Sequence, residues 1–109
     1  MPAKQTIRFI ASPHHDARPP HTDIDLIVLH AISLPAGEFV MQHVEALFTG
    51  RLDTSAHPTF ESLDGLRVAA HFVVDRAGSI TQFVPIETRA WHAGKSVWQG
   101  RDGCNDYAI

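Results

Sequence analysis

The chain has 109 residues, room for one small domain and not two. Its composition, 44% apolar and 19% charged, is that of a globular protein and argues against disorder over most of the length. A net charge of −3 with no Lys/Arg run makes nucleic acid and anionic membrane poor partners, and no apolar run is long enough to span a bilayer.

The first six residues, MPAKQT, lack a basic stretch followed by an apolar one, so the expected address is the cytoplasm. Residues 11–23, ASPHHDARPPHTD, carry three prolines and read as a surface loop. Residues 24–30, IDLIVLH, contain a continuous branched apolar run and predict a strand buried on both faces, with His30 at its C-terminal end. Open α/β sheets place ligands at that end. SLPAG is a turn. A helix is expected over residues 38–48, with Val40, Val44, Leu47 and Phe48 on one face and Gly50 as its stop. His57-Pro58 argues for an extended turn, followed by a single helical turn over residues 59–63.

Residues 68–74, VAAHFVV, predict a second strand, and Asp75-Arg76-Ala77-Gly78 a hairpin turn. Residues 79–84 return as the partner strand, which Pro85 ends. Residues 89–103 hold two tryptophans and three glycines and read as a functional loop; residues 105–109 begin another strand. One confident helix covers one face of a sheet at best, so a mixed or parallel sheet here is short of cover.

Eight histidines are the compositional oddity, since imidazole is the commonest metal ligand and the usual acid–base group near neutral pH. Spacing alone identifies no metal site: there is no HExxH or CxxC, and the adjacent pair His14-His15 suits a loop. His30 is the best single candidate, against the plainer reading of a core histidine bonded to a carbonyl. Asp23 and Asp25 flank a strand start and are explained by solvation. Cys104, the lone cysteine, forms no internal disulfide, which fits a reducing compartment; a packed thiol explains it better than a nucleophile. Trp91 offers a flat apolar face suited to a sugar ring, and His92 beside it a polar contact; a Trp plugging a sheet edge is the equal alternative. Arg67 could hold a substrate carboxylate, or be a solvated surface arginine.

The segments SPHHDARP, LIVLHAISLPAGEF, LFTGRLD, HPTF, LRVAAHFVVDRAGSITQFVP, RAWHAGKS and QGRDGCNDYAI occur in this order. Together they resemble the cytoplasmic 1,6-anhydro-N-acetylmuramoyl-L-alanine amidases of the AmpD type. These are part of the zinc amidase family that includes the peptidoglycan-recognition proteins and T7-type lysozyme. The resemblance runs from Ser12 to Ile109. It implies an α/β fold, a mixed β-sheet with flanking helices, and one zinc ion. It implies hydrolysis of the amide between anhydro-muramic acid and L-alanine, an anhydro-muropeptide as partner, a monomer, and a role in cell-wall recycling. It implies that His30 is a zinc ligand, that Trp91 lies along the sugar site with His92 beside it, and that Arg67 contacts substrate.

The same resemblance implies a chain that ends early. In the family, the CND motif leads into a GIELEG-like strand with a catalytic glutamate. A later GHxDIxPxRKxDPG-like segment brings two further ligands and a lysine. None of these is among the 109 residues. Ala31 stands where many members carry Asn, and Gly103 where many carry Arg. The expectation is therefore a single incomplete amidase domain over residues 1–109, its C-terminal part missing. It is expected to be inactive alone and poorly covered on one sheet face. A non-catalytic muropeptide-binding remnant and a ligand-free structural remnant are the alternatives.

Overall fold

The computed structural model describes residues 7–35 and 37–109. Residues 1–6, read above for a leader, and Ala36 of the predicted SLPAG turn lie outside the described residues.

The main sheet has three short strands in the order β1-β4-β3: β1 (Ile7–Phe9), β3 (Phe72–Val74) and β4 (Ile80–Gln82). β1 runs parallel to β4 and β3 antiparallel to it, so the sheet is mixed as expected. The predicted hairpin turn forms between β3 and β4. The Asp75 carboxylate accepts the N–H groups of Ala77 and Ser79, both at 2.9 Å, and Gly78 takes a φ of 85° that a β-carbon would resist. β2 (His15–Ala17) pairs antiparallel with β5 (Thr88–Ala90), and β6 (Val97–Trp98) with β7 (Arg101–Asp102).

The one α-helix, α1, spans Met41–Phe48 and buries Val44, Leu47 and Phe48. It starts three residues later than its apolar spacing suggests. Val40, with no capping side chain, is extended at the N-cap position. Gly50, at a φ of 75°, donates its N–H to the Leu47 carbonyl and closes the helix as expected. A 3-10 helix over Pro58–Leu63 buries Phe60 completely. Phe60, Phe83, Val84, Ala69 and Ala90 form the centre of the core, and Phe48 meets Phe83 edge-on at 5.2 Å between ring centroids.

Two readings need correction. Residues 24–30 do not form a strand: only Leu26 bridges, in parallel, to Ala108, and Ile27 and Leu29 are 74% and 92% exposed. The apolar run specifies burial, but a strand needs pairing partners, and the described residues bring only 107–109 alongside it. Residues 105–109 are likewise a 3-10 turn (Cys104–Asp106) followed by the Ala108 bridge. The loop of residues 11–23 contributes one strand the sequence did not signal, β2, and that of 89–103 contributes two, β6 and β7.

A single arginine ties these pieces together. Arg18 donates to the carbonyls of Ile86 and Ala108 at 2.9 Å, and to those of Asp106 and Asn105 at 3.1 and 3.3 Å. Five donors in a planar fork suit a cage of carbonyls better than an ammonium would.

Candidate functional site

β5 delivers the site. The N–H of Trp91 bonds the His14 carbonyl at 3.2 Å and its carbonyl accepts from Ala69 at 3.1 Å, so the residue after β5 is held from both sides. The next turn is fixed by Asn105, whose Oδ1 accepts the N–H of Ala93 at 2.9 Å and of His92 at 3.3 Å. His92 is thereby aimed at His30: its Nδ1 lies 3.1 Å from His30 Nε2, with the rings T-shaped at 5.3 Å. The pair sits at the wall of a cavity of about 530 Å³, lined by Val28, Ile32, Phe48, Val68 and Phe72 among others.

His30 is exposed and His92 half-buried. Burial, with the neighbouring His30, His71 and Arg18, pushes the His92 imidazole down to about 4, so it is neutral near pH 7. Its Nε2 is buried and has no hydrogen-bond partner among the described residues. An imidazole held neutral, with an unsatisfied buried nitrogen, has the chemistry of a metal ligand or proton acceptor.

Two imidazoles do not make a catalytic zinc site, which ordinarily uses three protein ligands and one open position. Among the described residues no group of three or more His, Cys, Asp or Glu side chains could hold a metal ion. The residues present thus do not fit a closed zinc centre by themselves.

The other sequence candidates, Trp91 and Arg67, are not in the lining of that cavity. Trp91 is half-buried and stacks on His14, with centroids 6.3 Å apart and planes 12° from parallel. Arg67 is exposed on the rim of a second, smaller cavity of about 210 Å³ that also includes His14, Asp64 and Gly65. Gly103 adopts a φ of 64° and donates its N–H to the Ser96 carbonyl, a conformation in which an arginine would be strained. The chain carries a backbone turn where many relatives were expected to carry a side chain. Asn105 and Arg18 were not singled out from sequence; only the CND motif around Asn105 drew attention to that stretch.

A family model for N-acetylmuramoyl-L-alanine amidase matches residues 20–109. The chain belongs to this family. Among curated amidase relatives, proteins named 1,6-anhydro-N-acetylmuramyl-L-alanine amidase AmpD from Escherichia coli K12 and Citrobacter freundii are each 51% identical over 102 residues. Those residues are 94% of this chain and 56% and 54% of the respective relatives. The Haemophilus influenzae relative is 50% identical over the same length. The crystal structure of a selenomethionine AmpD derivative superposes with a TM-score of 0.91 at 50% identity, over 94% of this chain and 57% of that one. The solution structure of Citrobacter freundii AmpD gives 0.59 at the same identity. The chain therefore spans about half the length of the curated relatives it matches. No helix among the described residues is long and apolar enough to cross a membrane.

Proposed function

We propose that this chain is part of a zinc-dependent amidase acting in the cytoplasm on the bond between anhydro-muramic acid and L-alanine in muropeptides, in cell-wall recycling. In this reading residues 1–109 are one incomplete amidase domain. His30 is one corner of the metal site, and Trp91, His92 and Arg67 serve substrate. The observation that carries the reading is the convergence of His30 and His92 at 3.1 Å, on a chain half-identical to amidases of that name.

The chain's own residues would do the following. His30 is an exposed residue whose Nε2 lies 3.1 Å from His92 Nδ1, and burial keeps the His92 imidazole neutral. Asn105 holds the His92 turn by two backbone N–H groups. Trp91 offers an apolar ring edge for a sugar, and Arg67 a cation for a carboxylate. With His30 as the one assigned ligand and no group of three ligands among the described residues, metal affinity should be that of an ordinary exposed imidazole, and the chain alone should not turn over. Being a monomer is part of the same proposal.

The deciding experiment is a chimaera in which this chain replaces the matched 102 residues of the Escherichia coli relative. Chelator-sensitive release of L-Ala-led peptide from anhydro-muropeptide is expected. His30→Ala should abolish it, and the 109-residue chain should release none. A chimaera that binds zinc yet is inert would overturn the reading. Muropeptide-dependent quenching of Trp91 in such an inert protein would favour a binding remnant instead.

A further inference from the structure

Four side chains of the β2–β5 pair share one face. The register sets Asp16 opposite Arg89 and His15 opposite Ala90. The bond from the Trp91 N–H to the His14 carbonyl carries that register one step further, so His14 lies opposite Trp91. Opposite residues, and residues two apart on one strand, point to the same side of an antiparallel pair. His14, Asp16, Arg89 and Trp91 therefore stand together, while Ala90, wholly buried, turns to the core.

Each contact on that face takes freedom from the indole. His14 is buried, its Nδ1–H donates to the Val68 carbonyl at 2.8 Å, and its ring lies 12° from parallel to that of Trp91. Asp16 is fixed by the two-point grip of Arg89, at 2.7 and 2.6 Å. That grip uses one lone pair of each carboxylate oxygen and leaves room for a further donor. Asp16 and Trp91 are diagonal neighbours across the pair, a separation that an aromatic side chain spans. The Arg89 bonds first, against the effect of burial, and then a hydrogen bond from the Trp91 side chain hold the Asp16 carboxyl below its ordinary value. The one polar hydrogen of a tryptophan side chain is the indole Nε1–H.

We propose that Asp16 is the positioning residue of Trp91: clamped by Arg89, its carboxylate accepts the indole Nε1–H and sets the plane of the ring. A half-buried tryptophan without such a partner samples several rotamers and has to be ordered when a ligand arrives. Here the order is built in before binding. The only polar atom of the ring is engaged by Asp16, so the surface left to a ligand is apolar, which suits the C–H face of a sugar ring. That last step rests on the reading of Trp91 as a substrate contact; the orientation of the ring does not.

The test uses the ¹⁵N-labelled chain carrying Trp98→Phe, which leaves Trp91 as its one indole. Exchange of the Nε1–H with water should be slower by about tenfold or more than in free N-acetyltryptophanamide. Asp16→Ala should remove that protection, while the Trp91 backbone N–H, bonded to His14, keeps its own. Asp16→Asn, which retains an acceptor oxygen, should restore part of it. Exchange in the parent chain as fast as in the free compound overturns the proposal, and that measurement needs no Asp16 variant to fold. Protection that survives Asp16→Ala overturns it as well. So does equal acceleration of the indole and backbone N–H groups, because Asp16 would then support the strand pair and not the ring. In the chimaera with the Escherichia coli relative, Asp16→Ala should raise KM for anhydro-muropeptide about fivefold and leave kcat within about twofold. Lost indole protection with unchanged KM upholds Asp16 as the positioning residue and overturns Trp91 as a substrate contact.

Discussion

Asn105 Oδ1 and the backbone N–H of Ala93 lie 2.9 Å apart, and the same oxygen takes the N–H of His92 at 3.3 Å. One half-buried carboxamide therefore sets the turn that points His92 at His30. Asn105→Ala leaves two N–H groups without an acceptor and should cost about 1 kcal/mol. Urea unfolding reads that loss, and faster amide exchange at Ala93 locates it. Asn105→Asp keeps the acceptor and should restore protection. Unchanged exchange at Ala93 in Asn105→Ala would remove Asn105 from this role.

His71 should make the fold sensitive to mild acid. It is 2% exposed, and its Nε2–H donates to the Thr88 carbonyl at 2.9 Å, which leaves Nδ1 buried with no partner among the described residues. Burial first, with Arg18 and His15 nearby, lowers its pKa below the ordinary imidazole value; the Thr88 carbonyl opposes this. The unfolded chain thus takes up the proton first. The stabilisation is complete above about pH 6.5 and is lost as pH falls towards the lowered folded value. Unfolding midpoints in urea should drop between pH 7.5 and 5. In His71→Gln, which keeps a donor for Thr88 and cannot titrate, the slope should flatten. A slope identical in both proteins would assign the acid sensitivity elsewhere.

What could be read from sequence was local. The 75–78 hairpin is encoded by one carboxylate and one glycine within five residues. The apolar face of α1 is encoded by a spacing that no distant contact alters. The 24–30 segment failed for the opposite reason. Its Leu-Ile-Val-Leu run states that it should be buried, while pairing depends on chain far away in sequence. His30 and His92 were each singled out, yet their convergence across 62 positions depends on β2–β5 pairing and on Asn105, neither of which has a periodic signature.

Arg89, on β5, ties β2 to the 3-10 turn at Cys104–Asp106 through carboxylates. Its Nε and Nη2 grip Asp16 at 2.7 and 2.6 Å, and Nη1 meets Asp106 at 2.6 Å. The Arg89 bonds hold the Asp16 carboxyl below its ordinary value. Both carboxylates remain a third or more exposed, so solvent screens the pairs and the whole arrangement should be worth about 1 kcal/mol, not the 3–5 of a buried pair. Arg89→Lys, which cannot bridge both carboxylates in one plane, should lose most of it. The difference between the two proteins in urea should shrink at high salt. A loss of several kcal/mol that salt does not touch would show that the pairs are effectively buried.

Leu29 and Phe83 are both large apolar residues, and the structure gives them opposite consequences. Phe83 is fully buried and packs edge-on against Phe48, so Phe83→Ala should cost about 3–5 kcal/mol, enough to unfold a small domain. Leu29 is 92% exposed, so in the isolated chain Leu29→Ser should change stability by less than about 0.5 kcal/mol. Denaturant unfolding of the two variants checks both statements. If Leu29→Ser were instead as damaging as Phe83→Ala, residues 26–32 would be packed in solution, and the cleft beside β3 would be filled by the chain itself.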